Sequence, residues 1–87
     1  MTRYWIRFKL PIGSQYPMGL SRGCGVTAYS LDDAEALLRE YVYKGMPPLT
    51  IDGVEENIDV STLDPGHILP NMGVASRRGI WFPAGFM

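Results

Sequence analysis

The chain is poor in the side chains that most often carry chemistry. It has one cysteine, Cys24, and one histidine, His67, among 87 residues. A lone cysteine cannot close an internal disulfide, so a reducing cytoplasm is the simplest compartment to expect. One Cys and one His, far apart and without paired spacing, do not make a zinc pattern, so no metal site is expected. Excess charge is lacking too. With 8 basic and 9 acidic residues the formal charge is -1, which gives no general attraction to nucleic acid or to an anionic membrane. No apolar run approaches the roughly 18 residues of a membrane span. Tyr4 to Leu10 alternates apolar with charged residues, unlike a signal peptide, so no targeting segment is expected. The glycine spacings of phosphate-binding loops are missing, and Gly23-Cys24-Gly25-Val26 resembles none of them. No cofactor is expected.

What remains is an ordinary globular composition, 46% hydrophobic, in a length that suits one domain with a modest core. The stretch from Gly23 to Tyr43 organises it. A β run over Cys24 to Tyr29 breaks at Ser30, whose hydroxyl suits an N-cap. Asp33 follows three residues on, where the carboxylate of a capping box belongs. Asp32, Asp33 and Glu35 then favour the positive end of the helix dipole. Leu31, Ala34, Leu38 and Tyr41 form one apolar stripe, with Leu37 and Val42 beside it. Lys44 and Gly45 supply a cation and a left-handed C-cap, and Pro47-Pro48 ends the helix.

Strand signals lie on either side. Over residues 2 to 10, Tyr4, Ile6, Phe8 and Leu10 point one way, toward the core. Arg3, Trp5, Arg7 and Lys9 point the other way, as a basic face. A second alternation, Val54, Glu56, Ile58 and Val60 against Glu55, Asn57, Asp59 and Ser61, predicts a strand over about 54 to 61. If it neighbours the first strand, Arg3, Arg7 and Lys9 face Glu55 and Asp59 across the ladder. Gly23 and Gly25 signal a bulge or a close backbone approach. Ile80, Trp81 and Phe82 form a last short strand stopped by Pro83. Residues 11 to 23 and 62 to 79 are long irregular segments, and in the first Tyr16, Met18 and Leu20 could fold back as a lid. The expected fold is α+β: a two-layer sandwich of about four mainly antiparallel strands with one helix on one face, in β-β-α-β-β order. The strand, Ser-x-x-Asp-Ala, helix passage resembles one that many small ferredoxin-like domains use. The likeness covers about a quarter of the chain and carries no functional residues with it.

Candidate sites are few. His67 follows Asp64-Pro65-Gly66 and could act as a base or ligand group with Asp64, against the plainer reading of a turn histidine bonded to backbone or water. Cys24 would need a lowered pKa to act as a nucleophile, and a small buried apolar residue is the plainer reading. Arg77 and Arg78 could grip a carboxylate or phosphate, or could equally be solvated or pair with Asp64 or the helix acids. Trp5 among three cations is a thin platform for single-stranded nucleic acid, and the acids of the third strand explain those cations without it. The aromatic end, with Trp81, Phe82 and Phe86, reads as an association surface or as a satellite cluster under the loops. The reading these residues favour is a non-catalytic protein-interaction or regulatory module, binding a protein partner or a second copy. Trp81, Phe82 and Phe86 would anchor the partner, with Arg77 and Arg78 orienting an acidic group. The rival is a small anion-binding protein or enzyme built on His67, Asp64, Arg77 and Arg78.

Overall fold

The structure, a computed structural model, describes residues 1–9, 23–45, 48–63, 65–66, 68, 70 and 72–83. Strand β1 (Thr2–Lys9) pairs antiparallel with β2 (Cys24–Ala28) on one side and β3 (Thr50–Glu56) on the other, and β4 (Gly79–Phe82) pairs antiparallel with β2. The sheet order is β3-β1-β2-β4. One helix, α1 (Leu31–Leu37), follows β2 and continues as a π-helical segment, Leu38–Tyr43. The result is a small α+β fold with one antiparallel sheet.

The alternation of β1 sorts its side chains as its pattern predicts. Tyr4 and Ile6 are buried and Phe8 is half-buried, all on the helix side, with Val26, Ala28, Ala34, Leu37, Leu38, Val42 and Ile80. Ser30 caps α1, its hydroxyl accepting from the Asp33 amide at 3.1 Å, and the Asp33 carboxylate accepts from the Tyr29 amide at 3.0 Å. That is capping-box chemistry reaching one residue further back than usual. Past Leu37 the winding loosens to i→i+5, as in the Lys44 amide donating to the Arg39 carbonyl at 3.2 Å. The wider turn brings Val42 and Tyr43 into the core and leaves Tyr41 half-buried, although Tyr41 belongs to the apolar stripe of an unbroken helix. Lys44 itself takes the left-handed C-cap, at φ 48°, and Gly45 follows at φ 86°.

Two expectations about the sheet need correction. First, the helix covers one face of the sheet as expected, but the fold is not limited to those two layers. The opposite face carries its own core of Trp5, Leu63, Ile68, Trp81 and Phe82, with Ile58, Val60, Met72 and Ala75 half-buried around it. The sheet is therefore sandwiched between the helix and the irregular segment after β3, rather than covered on one face only. Second, the third strand runs Thr50–Glu56, not 54 to 61. Asn57, in the left-handed region at φ 54°, ends it. Ile58 and Val60 then join the second core, while Val54 packs on the helix side. Their apparent alternation with Val54 is thus not that of one strand. Among the described residues, the single α-helix and the β3-β1-β2-β4 sheet order give no support to the ferredoxin-like resemblance.

The expected charge match between β1 and β3 is met by one pair, while Lys9 is opposite Thr50 and Asp59 lies beyond the end of β3. β1 and β3 are neighbours, and the Arg7 guanidinium pairs with the Glu55 carboxylate while lying over Gly53. Among the described residues, no helix is long and apolar enough to cross a membrane.

Candidate functional site

The glycines of β2 decide where the aromatic side chains go. Trp5, Gly25 and Phe82 form one row across β1, β2 and β4. Gly25 has no side chain to fill its place in that row, and the Trp81 ring lies directly against it; the Trp5 ring packs in the same way on Gly23. The register of β4 against β2 slips between Gly25 and Val26, which leaves Trp81 as an extra residue. This bulge breaks the alternation. Trp81 and Phe82 therefore both enter the core that holds Trp5, with Trp5 ring centroids 5.9 Å from Trp81 and 5.5 Å from Phe82.

The consequence for function is direct. Trp81 is 1% exposed and Phe82 2%, so neither is a surface anchor. The expectation that adjacent aromatics must split between faces fails because the bulge turns both to one side. Trp5 is likewise covered, and the basic face of β1 has no exposed aromatic on which a base could stack. Phe86, His67 and Asp64 lie outside the described residues.

A buried polar chain fixes this second core. The Thr27 hydroxyl donates to the Ala75 carbonyl at 2.6 Å and accepts from Trp81 Nε1 at 3.1 Å. Among the described residues Thr27 is the one buried polar residue; its bond to Ala75 ties the loop before β4 to the sheet, and its bond from Trp81 joins β2 to β4. On the other edge of β4, the Gly73 amide donates to the Trp81 carbonyl at 2.6 Å. Cys24 is fully buried, and burial pushes its thiol far above the usual range, so it is held as a neutral thiol. This agrees with a packing role and not with a nucleophile.

With the loop so anchored, its next residues meet the helix start. Arg78 donates from Nε to Asp33 Oδ2 at 2.9 Å and from an Nη to Oδ1 at 2.5 Å, a two-pronged pair. The Arg78 hydrogen bond, with the Tyr29 amide second, lowers the Asp33 pKa to about 2. The same guanidinium lies over the Tyr29 ring, 5.9 Å from its centroid. Of the readings open for the arginine pair, Arg78 follows pairing with a helix acid. Arg77 beside it is exposed and has no ion pair among the described residues. Tyr29 is 74% exposed. It occupies the position before the N-cap, where an apolar residue often packs on the fourth helical residue. Here that residue is the small, buried Ala34, and the ring turns outward against Arg78 instead. Tyr29 is the surface residue the sequence reading missed; an aromatic before Ser30 with only Ala34 as its packing partner is the signal that marks it.

Tyr29, Arg78 and Asp33 thus meet in one corner at the junction of β2, α1 and the loop into β4, with the exposed Arg77 next to Arg78 in the chain. Elsewhere, Met1, Arg3, Asn57 and Ile58 line a half-open recess of about 200 Å³. Among the described residues, no three His, Cys, Asp or Glu side chains gather in a way that could hold a metal ion. No family model matches the chain, and no curated protein and no solved structure is found to match it.

Proposed function

We propose that the chain is a non-catalytic interaction module whose contact surface is the corner formed by Tyr29, Arg77 and Arg78. The observation that carries this reading is a large aromatic side chain, 74% exposed, braced by an arginine that is itself clamped by Asp33. An exposed ring held in place loses little freedom when a partner covers it. Tyr and Arg are also the side chains that most often dominate the energy of protein interfaces. The corner is nearly neutral, because Asp33 answers Arg78 and Glu40 lies close enough to act on it. That balance suits a protein surface better than nucleic acid or a small anion. The arginine pair is also weakened as an anion clamp, since Arg78 is already committed.

The test compares the wild-type chain with Tyr29→Ala and Arg77→Glu, each immobilised and used to capture proteins from lysate of the source cells. Both side chains are exposed, so both variants should keep the wild-type circular dichroism. A captured protein retained by the wild type and lost by both variants is the expected result. Capture unaffected by either substitution removes the corner as the contact surface.

A further inference from the structure

The two edges of the sheet are not alike. The outer edge of β4 is engaged by the Gly73 amide, and its strand is bulged at Trp81. The outer edge of β3 is seven residues long, and none of the described residues pairs with it. An open strand edge presents a row of backbone donors and acceptors to any chain that can lie beside it.

The side chains of β3 say what could lie there. The register against β1 matches Arg7 with Gly53 and Phe8 with Ile51, so Asp52 is the extra residue of a bulge. Ile51 and Val54 are therefore both on the helix side, where they are half-buried at the margin of the main core. Thr50 and Glu55 share rows with Lys9 and Trp5, on the opposite face. Asp52, Glu55 and Glu56 are exposed, and of these Glu55 is answered within the chain, by Arg7.

We propose that β3 pairs antiparallel with β3 of a second copy, joining two sheets edge to edge. The register that fits places Ile51 opposite Val54 of the second copy and Thr50 opposite its Glu55. Apolar then meets apolar on the helix side, which completes the cover over two half-buried side chains. No acid opposes an acid, because Asp52 faces Gly53. Lys9, the cross-strand neighbour of Thr50, lies in the same row as Glu55 of the second copy and complements its charge. The two-fold relation makes each of these contacts twice. The surface lies at the β3 side of the sheet, away from Tyr29 and Arg77, so this inference does not rest on the corner.

Sedimentation equilibrium of the full chain, from low micromolar to near-millimolar protein, tests it. A concentration-dependent monomer–dimer equilibrium is expected. Thr50 is exposed, so it can be changed without disturbing the core. Thr50→Glu sets an acid against Glu55 of the second copy twice over, and the dissociation constant should rise about fivefold; Thr50→Lys should lower it by a similar factor. Tyr29→Ala should leave the equilibrium where it was. A chain that stays monomeric throughout overturns the proposal and leaves the edge to a strand of a different protein. A dimer that ignores both Thr50 substitutions, or answers both in the same direction, overturns it by placing the interface elsewhere.

Discussion

Arg78 and Asp33 stand 45 positions apart in the chain and meet in a two-pronged ion pair at the start of α1. The Asp33 carboxylate serves three purposes there. It favours the positive end of the helix, it accepts the Tyr29 amide, and it fastens the loop that leads into β4. This pair is where the corner and the fold depend on the same atoms.

The pair predicts a pH dependence of stability. The folded state lowers the Asp33 pKa from 3.8 to about 2. A lowered carboxyl pKa contributes stability that is fully present above the ordinary value and is lost as pH falls through the folded value. Urea unfolding of the wild type and of Asp33→Asn should therefore differ most above pH 4, and the difference should shrink as pH falls toward 2. Because the pair is exposed, the difference should also shrink in high salt. A gap that stays constant across this pH range would show that the Asp33 charge is not what the substitution removes.

Gly25 is predicted to be intolerant of any side chain. A Cβ there would collide with the ring carbons of Trp81, which is fully buried and bonded through Nε1 to Thr27. The ring cannot step aside without breaking that bond. Gly25→Ala should cost about 1–3 kcal/mol, the usual range for overpacking a tight core. Gly45→Ala, where a Cβ meets nothing within 4 Å, separates crowding from left-handed backbone strain. Chemical denaturation of both variants reads the comparison, and the near-ultraviolet dichroism of the indoles should change for Gly25→Ala alone.

Thr27 should matter through its hydroxyl more than its shape. Thr27→Val keeps the volume but leaves the Trp81 N–H and the Ala75 carbonyl without the partner they now have. Losing such partners in a buried site costs about 1–3 kcal/mol per group. Thr27→Ser keeps both bonds and loses one methyl, about 1 kcal/mol. Valine should therefore destabilise the chain more than serine does; the reverse order in urea unfolding would mean that the methyl, not the hydrogen bonds, holds the second core.

Much of the main core was legible in the sequence because it obeys simple periods. The alternation of Tyr4, Ile6 and Phe8 names its own face, and Ser30 with Asp33 marks where the helix starts. Gly23 and Gly25 announced a close approach, and two indole rings lie against them. The second core was legible only in part: Trp81 and Phe82 follow the reading of a satellite cluster under the loops, but its other members come from residues without a common period. Leu63, Ile68, Met72 and Ala75 sit in irregular chain, and alternation cannot say whether the far side of β1 is covered. Bulges erased the rest. One residue too many at Trp81 and one at Asp52 turn each following side chain against the pattern that a regular strand would have. At the corner, the arginine pair was visible in sequence, but the role of Tyr29 depends on Arg78 meeting Asp33 across 45 positions, which no local pattern records.

Trp81 gives the sharpest separation between a surface anchor and a core residue. An exposed anchor can be cut back to alanine with the fold intact, and only association is lost. Trp81 is instead 1% exposed, lies against Gly25, stacks near Trp5 and donates to Thr27. Removing it takes away a filled core volume and one of the two partners of the Thr27 hydroxyl, so Trp81→Ala should cost about 3–5 kcal/mol. That is a large share of the roughly 5–15 kcal/mol that holds a small domain folded. Tyr29→Ala, at a 74% exposed position, should leave the unfolding midpoint almost unchanged. Measured side by side in denaturant, the two aromatic truncations should diverge strongly. Equal and small effects would mean that Trp81 carries little of the second core, and would return the aromatic end of the chain to the surface.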